Sequence, residues 1–256
     1  MTPSGSRSAN LAREFVAGVR GMLLDFFENG AAVSQKPDNT PVTEADIAIE
    51  SRIREQLHSA FPDDAFYGEE TGRRDGNNRR LWLLDPIDGT KSFVRGHGFF
   101  STQLALMESA QLVLGVSMAP VFDELYWAEK GVGAWCGTQR LRVSATPDLA
   151  RAHLSVGNLT SLAGSSRWQR FGQLLMRVDR HRGYGDFFHY HLLASGKLDV
   201  VVESDVNILD IAALTVIVRE AGGKVTDLSG QAIGLDTRSI VASNGLLHDA
   251  VLESVT

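Results

Sequence analysis

Cysteine is nearly absent: Cys136 stands alone in 256 residues, so no internal disulfide can form and no cysteine-built metal site is available. Basic residues are not in excess either. Lys and Arg number 25 against 31 Asp and Glu, a formal net charge of −6, and the basic footprint that nucleic acid demands is missing. No apolar run approaches the roughly 20 residues of a membrane span, and the opening MTPSGSRSAN lacks the apolar core of a secretory signal. These absences set the expectation of a cytoplasmic protein with no nucleic-acid or membrane partner. Mild acidity leaves a phosphorylated small molecule open as a ligand, because a bound metal inverts the local field.

What is present can fill a substantial core, since 43% of the residues are hydrophobic. Leu11, Phe15, Val19, Met22, Leu23, Phe26 and Phe27 recur at three- and four-residue intervals, which predicts an amphipathic helix capped by Asn10, behind a disordered tail over residues 1–10. A second helix is expected from Thr43 to Ala60, with Thr43 and Asp46 as a capping-box analogue and Phe61-Pro62 as the stop. Between Gly98 and Trp135, strand-like segments separated by turns predict an antiparallel meander. Thereafter strands and helices alternate: a helix from Trp168 to Val178, a strand from Leu198 to Glu203, a helix from Asp210 to Ala221 and a short helix after Asn244-Gly245. The change of pattern near residues 143–150 divides the chain into an N-terminal α+β lobe, 11–145, and a C-terminal α/β lobe, 146–256.

The segment WLLDPIDGTKSF, Trp82 to Phe93, empties an apolar strand into two aspartates. Asp85 and Asp88 flank Pro86, whose fixed dihedral can end the strand and turn both carboxylates toward one point. Two carboxylates there repel unless a cation joins them, and a hard divalent ion such as Mg²⁺ prefers oxygen ligands, here both aspartates and the carbonyl of Ile87. Gly89 and Thr90 then offer backbone amides, a hydroxyl and room for a phosphate. A bare surface turn is the alternative for an isolated DPIDG. Two further acidic sites weigh against it: Glu69 and Glu70 in YGEE, and Asp210 at the head of the apolar helix LDIAA. Each has a plainer reading, as solvated loop charges and as a helix N-cap.

Together these segments resemble the inositol monophosphatase superfamily of Mg²⁺-dependent, lithium-sensitive phosphatases. The acidic pair followed by W-x-x-D-P-I-D-G-T-x-x-F matches at every specified position, and W-D-x-A-A with a glycine pair matches LDIAALTVIVREAGG except that Leu209 replaces tryptophan. The likeness runs from the loop at Lys36 to the last helix. It implies a layered αβαβα fold of the α/β (α+β) class and a homodimer. Carried over, it implies that Glu69, Asp85 and the Ile87 carbonyl hold one Mg²⁺ and that Asp85, Asp88 and Asp210 hold a second. A weaker third ion would use Glu69 and waters near Asp46 of VTEAD, with Mn²⁺ as a substitute metal. Glu69, Thr90 and Asp46 would then serve catalysis, Thr90 and Asp46 orienting the attacking water, while Gly89 and Thr90 hold the phosphate. Leu209 should affect packing and pocket shape, not catalysis.

The segment RGYGDFFHYHLLASG looks like the histidinol-phosphate phosphatases of this type. Asp186, at a position where the inositol enzymes typically carry a small residue, and Glu203 in VVVES would then face a cationic end of the substrate. Asp186 as a helix N-cap is the alternative. The expected activity is hydrolysis of L-histidinol phosphate in histidine biosynthesis. The rivals are an inositol or broad sugar-phosphate phosphatase and, in a different class, a non-catalytic phosphate-binding protein. His189 and His191 are expected to be core or rim residues, since Mg²⁺ does not prefer imidazole. RRDGNNRR, Arg73 to Arg80, reads as a solvated mobile loop, and RGHGFF, Arg95 to Phe100, as a lining of the pocket or of a dimer interface.

Overall fold

The computed structural model describes residues 4–35 and 41–255; the Lys36 loop and the first three residues of the expected tail lie outside them. In chain order come α1 (Arg7–Gly18), α2 (Arg20–Asn29), the short pair β1 (Val33–Gln35) and β2 (Pro41–Thr43), and α3 (Glu44–Ala60). Then follow β3 (Ala65–Gly68), β4 (Gly72–Arg74), β5 (Arg80–Asp88), α4 (Thr90–Val94), β6 (Ser101–Glu108), β7 (Gln111–Ala119), β8 (Glu124–Glu129), β9 (Gly133–Cys136) and β10 (Gln139–Arg140). The remainder is β11 (His153–Val156), α5 (Thr160–Ala163), α6 (Trp168–Leu175), β12 (Arg180–Arg182), α7 (Asp186–Ala194), β13 (Val200–Ser204), α8 (Ile208–Glu220), β14 (Lys224–Thr226), β15 (Ser239–Ser243) and α9 (His248–Val255).

Among the described residues, an eight-stranded sheet runs β10-β9-β8-β7-β6-β5-β3-β4 and a five-stranded sheet runs β12-β11-β13-β15-β14. The β6–β9 meander is antiparallel throughout, as its turn spacing predicts. Strand β5 shows how the layers form. Trp82 and Leu84 face a core shared with α1, α2 and α3, whereas Leu81 and Leu83 face a core shared with α7 and α8. Strand β13 repeats the pattern, Val201 joining the α7/α8 core while Val200 and Val202 join a third core with α6 and α9. Three cores between five layers make the αβαβα order, with α7 and α8 sandwiched between the sheets.

Three details depart from the sequence expectations. The first helix starts at Arg7, capped by Ser6, whose hydroxyl accepts the Ala9 N–H at 3.2 Å, and it breaks at Val19 into two helices. Asn10 is not the cap because its side-chain amide donates to the Gly5 carbonyl instead, and the Ser6 N–H is anchored on Glu129. Nor is Arg73–Arg80 wholly a loop: Arg73 and Arg74 pair with β3, and Arg80 opens β5, its guanidinium bridging Asp64 at 2.9 Å and Glu108 at 3.0 Å. The helix expected to reach Val178 ends at Leu175, and β12 follows it. Among the described residues no helix is long and apolar enough to cross a membrane.

Candidate active site

A strand alone cannot aim Asp85 and Asp88 at one cavity. Side chains three apart on a regular strand point to opposite faces. Here Asp85 pairs with Gln103 and Asp88 with Ser101, so three steps on β5 oppose two on β6, and one extra residue bulges at Pro86–Ile87. The bulge turns Ile87 into the α1–α3 core and returns Asp88 to the side that Asp85 occupies. Proline fits there because it has no N–H to lose from the ladder. The Ile87 N–H donates to Asp85 Oδ1 at 3.0 Å, and Thr102 Oγ1 donates to the Pro86 carbonyl at 2.8 Å, fixing the bulge from both sides.

Gly89 follows with φ +89°, and a Cβ there would stand 2.7 Å from the Phe99 carbonyl oxygen, so only glycine makes this turn. The Ser92 and Phe93 N–H groups close back on its carbonyl and start α4. Thr90 Oγ1 donates to the Ile87 carbonyl at 2.9 Å and stands 3.5 Å from Asp46 Oδ1. Asp46 is fully buried behind Thr90, its other oxygen receiving the Thr43 N–H at 2.7 Å and the Thr43 hydroxyl at 2.6 Å, in the capping box the sequence predicts.

Glu69 follows β3 and its N–H donates to the Leu84 carbonyl. Asp210 is not the cap of α8. Asn207 takes that position, its side-chain oxygen accepting the Leu209 N–H at 2.7 Å, while Asp210 returns to the Asn207 N–H at 3.0 Å and to its amide. Likewise Gly185 occupies the cap position of α7 and Asp186 is the first helical residue, with φ +44° and no side-chain cap bond at that end.

These residues meet at one cavity of about 550 Å³, lined by Glu69, Asp85, Ile87, Asp88, Gly89, Thr90, Asp186, Glu203 and Asp210, with Lys91, Asn158, Tyr190 and Asn207 between them. Burial, and after it the charges of Glu69, Asp88 and Asp210, push the Asp85 carboxyl well above its ordinary range. Asp88 moves the same way through burial and then Asp186, Asp210 and Glu203, with the Ser101 hydroxyl opposing at 3.2 Å. Burial raises Asp210 to about 7 against the bonds from Asn207. Among the described residues no three His, Cys, Asp or Glu side chains already meet as a closed metal cage. The fit to a hard divalent cation rests on donor chemistry: carboxylates that repel one another in a buried, oxygen-only setting are relieved by positive charge.

Several contributors had no clear local mark. Ser101 donates to Asp88 and accepts Gln103 Nε2 at 2.6 Å, both on the neighbouring strand. Tyr190 and Asn158 reach the cavity through Glu203. The N-x-x-D spacing of Asn207 and Asp210 is a capping signal that the sequence does carry.

The sequence model of the inositol monophosphatase family matches residues 6–256. A histidinol-phosphatase of Mycobacterium tuberculosis is 44% identical over 225 residues, 86% of each chain. Another, of Streptomyces coelicolor, is 41% identical over 229 residues, covering 86% of this chain and 85% of its own. Among solved structures, the Thermotoga maritima IMPase superposes with a TM-score of 0.86 at 33% identity, over 96% of this chain and 95% of that one.

Proposed function

The chain belongs to the inositol monophosphatase family and is a phosphatase, and from that premise we propose that it hydrolyses L-histidinol phosphate to L-histidinol and phosphate in the cytoplasm, as a step of histidine biosynthesis. The observation that carries the substrate is the second acidic wall. Asp186 and Glu203 line the same cavity as the Asp85–Asp88 bulge, so a ligand with phosphate at one end and ammonium and imidazole at the other meets carboxylates at both.

Glu69, Asp85, the Ile87 carbonyl, Asp88 and Asp210 would hold two Mg²⁺ ions, with a third near Glu69 and Asp46. When bound, such cations neutralise the phosphoryl oxygens, lower the pKa of a water and stabilise the leaving alkoxide. The chain's own groups do the positioning. Gly89 and Thr90 receive the phosphate at the start of α4, and Thr90, backed by Asp46, orients the attacking water through its hydroxyl. Asp186 and Glu203 fix the far end of the ester. A homodimer belongs to the same proposal, supported by the exposed Phe122, which packs against the partly buried rings of Phe99 and Phe188.

Phosphate release from histidinol phosphate and inositol-1-phosphate, measured side by side with Mg²⁺ and with EDTA, tests the reading. A Mg²⁺-dependent preference for histidinol phosphate supports it. Comparable rates, or a preference for the inositol ester, move the assignment to an inositol or broad sugar-phosphate phosphatase.

A further inference from the structure

His189 is fully buried where α7 meets β11 and β13, and both of its ring nitrogens are engaged. Nε2 stands 3.2 Å from Glu203 Oε2, and Nδ1 stands 3.2 Å from the Ser155 hydroxyl. The Ser155 oxygen also accepts the Tyr184 N–H at 3.2 Å. One neutral tautomer satisfies every group: Ser155 O–H donates to Nδ1, and Nε2–H donates to Glu203. His191, two residues further along the same helix, shows that burial alone does not impose bonding at both nitrogens, since its Nε2 meets the Ser117 hydroxyl at 2.8 Å while its Nδ1 has no hydrogen-bond partner and its ring stacks on Tyr126.

Glu203 is correspondingly fixed. Its Oε2 accepts from His189 and from the Tyr190 hydroxyl at 2.9 Å, and its Oε1 accepts the Asn158 N–H at 3.1 Å. A Cβ at Gly157 would come within 1.9 Å of Oε1, so the chain passes there only as glycine. A carboxylate offers about four acceptor positions, and three of these are filled from the protein. Glu203 is therefore held in one orientation, with one acceptor position left for a ligand.

We propose that His189 is a positioning residue for substrate selection: through Ser155 it ties Glu203 to the turn carrying Tyr184 and Asp186, so that both carboxylates of the far wall meet a cationic group as one preset unit. The inference rests on the assignment of that wall to the cationic end of the substrate. His189 does not touch the phosphate or the reacting water. Its effect is confined to the orientation of Glu203, and it acts on which ester is bound more than on how fast the bound ester reacts.

Steady-state kinetics of the full chain with Mg²⁺ test this for wild type, His189→Leu, His189→Gln and Ser155→Ala, using histidinol phosphate and inositol-1-phosphate. Loss of a hydrogen bond to a charged group should raise KM for histidinol phosphate about tenfold in His189→Leu, several-fold more than for inositol-1-phosphate, with kcat little moved. His189→Gln, which can still donate toward Glu203, should restore most of the selectivity, and Ser155→Ala should fall between. Parallel losses on both esters, with no rescue by glutamine, would make His189 a packing residue and overturn the proposal. If wild type does not turn over histidinol phosphate, the assigned function fails on its own. The KI of histidinol phosphate against inositol-1-phosphate is then compared: a rise in His189→Leu sustains the positioning role, and an unchanged KI, or no inhibition of wild type, ends it.

Discussion

The Glu50 carboxylate accepts the backbone N–H of Thr71 at 2.8 Å, and with it the N–H of Glu70 at 2.8 Å, so a fully buried residue of α3 clasps the turn that carries Glu69. Asp46 lies one helical turn earlier on the same helix and backs Thr90. A single face of α3 thus fastens two separate parts of the cavity, the acidic turn after β3 and the loop before α4.

Replacing Glu50 by Gln keeps the shape but turns one amide donor against N–H groups that need acceptors. The expected cost is about 1–3 kcal/mol of stability, with more Mg²⁺ needed for half-maximal turnover because Glu69 is less well held. A urea melt and a Mg²⁺ activation curve read the two effects. Lower stability with an unchanged Mg²⁺ requirement would make Glu50 a structural clasp only.

Asp88 is held well above the ordinary carboxylate range by burial and then by Asp186, Asp210 and Glu203. A carboxylate raised in the folded state favours folding when protonated, and that contribution is lost as pH rises through the folded value. In EDTA at pH 8 the ionised group therefore opposes the fold, and Asp88→Asn should melt higher than wild type. With Mg²⁺ the order should reverse, and turnover should fall by about a hundredfold or more. Differential scanning calorimetry with and without Mg²⁺ checks the crossover, and retained turnover would refute the placement of Asp88 among the metal ligands.

The bulge at Pro86 marks where legibility in the sequence ends. That Asp85 and Asp88 share a target was readable from the two carboxylates around a proline, and Thr43 with Asp46 carried its capping signal in four residues. The bulge itself depends on Gln103 and Ser101 of β6, which local pattern does not pair with β5. The start of α1 is set by a distant residue in the same way. Ser6 and Asn10 are both good caps, and the choice is set by Glu129, distant in sequence, holding the Ser6 N–H. His189 is the core residue that its aromatic-rich segment predicts, but its partner Glu203 comes from β13, which local pattern does not reveal.

His191 gives a pH prediction of opposite sense to Asp88. Burial lowers its pKa to about 3, below the ordinary value near 6.5, so the unfolded chain takes up a proton that the fold refuses. The contribution to stability is complete above about pH 6.5 and is lost as pH falls toward 3. In His191→Phe, which keeps the stack on Tyr126, the drop in urea midpoint between pH 7 and pH 5 should shrink. Part of the drop should remain, because His248 is lowered to about 4, first by burial. An undiminished drop would show that His191 is hydrated in solution.

Asp186 separates charge from strain. Its φ of +44° is a left-handed conformation that costs an ordinary residue about 1–2 kcal/mol but that Asn and Asp tolerate better. Asp186→Asn keeps that tolerance and the shape while removing the charge. A cationic substrate end then loses its partner, and KM for histidinol phosphate should rise about tenfold. The ester whose alcohol end is uncharged should respond the other way. Asp186 is the foremost of the charges that repel Asp88, so its removal eases the approach of any phosphate dianion, and KM for inositol-1-phosphate should stay level or fall. Opposite shifts of the two constants have no explanation in altered packing, which would harm both esters alike. Equal losses in Asp186→Asn would leave Asp186 as the first residue of α7 and nothing more.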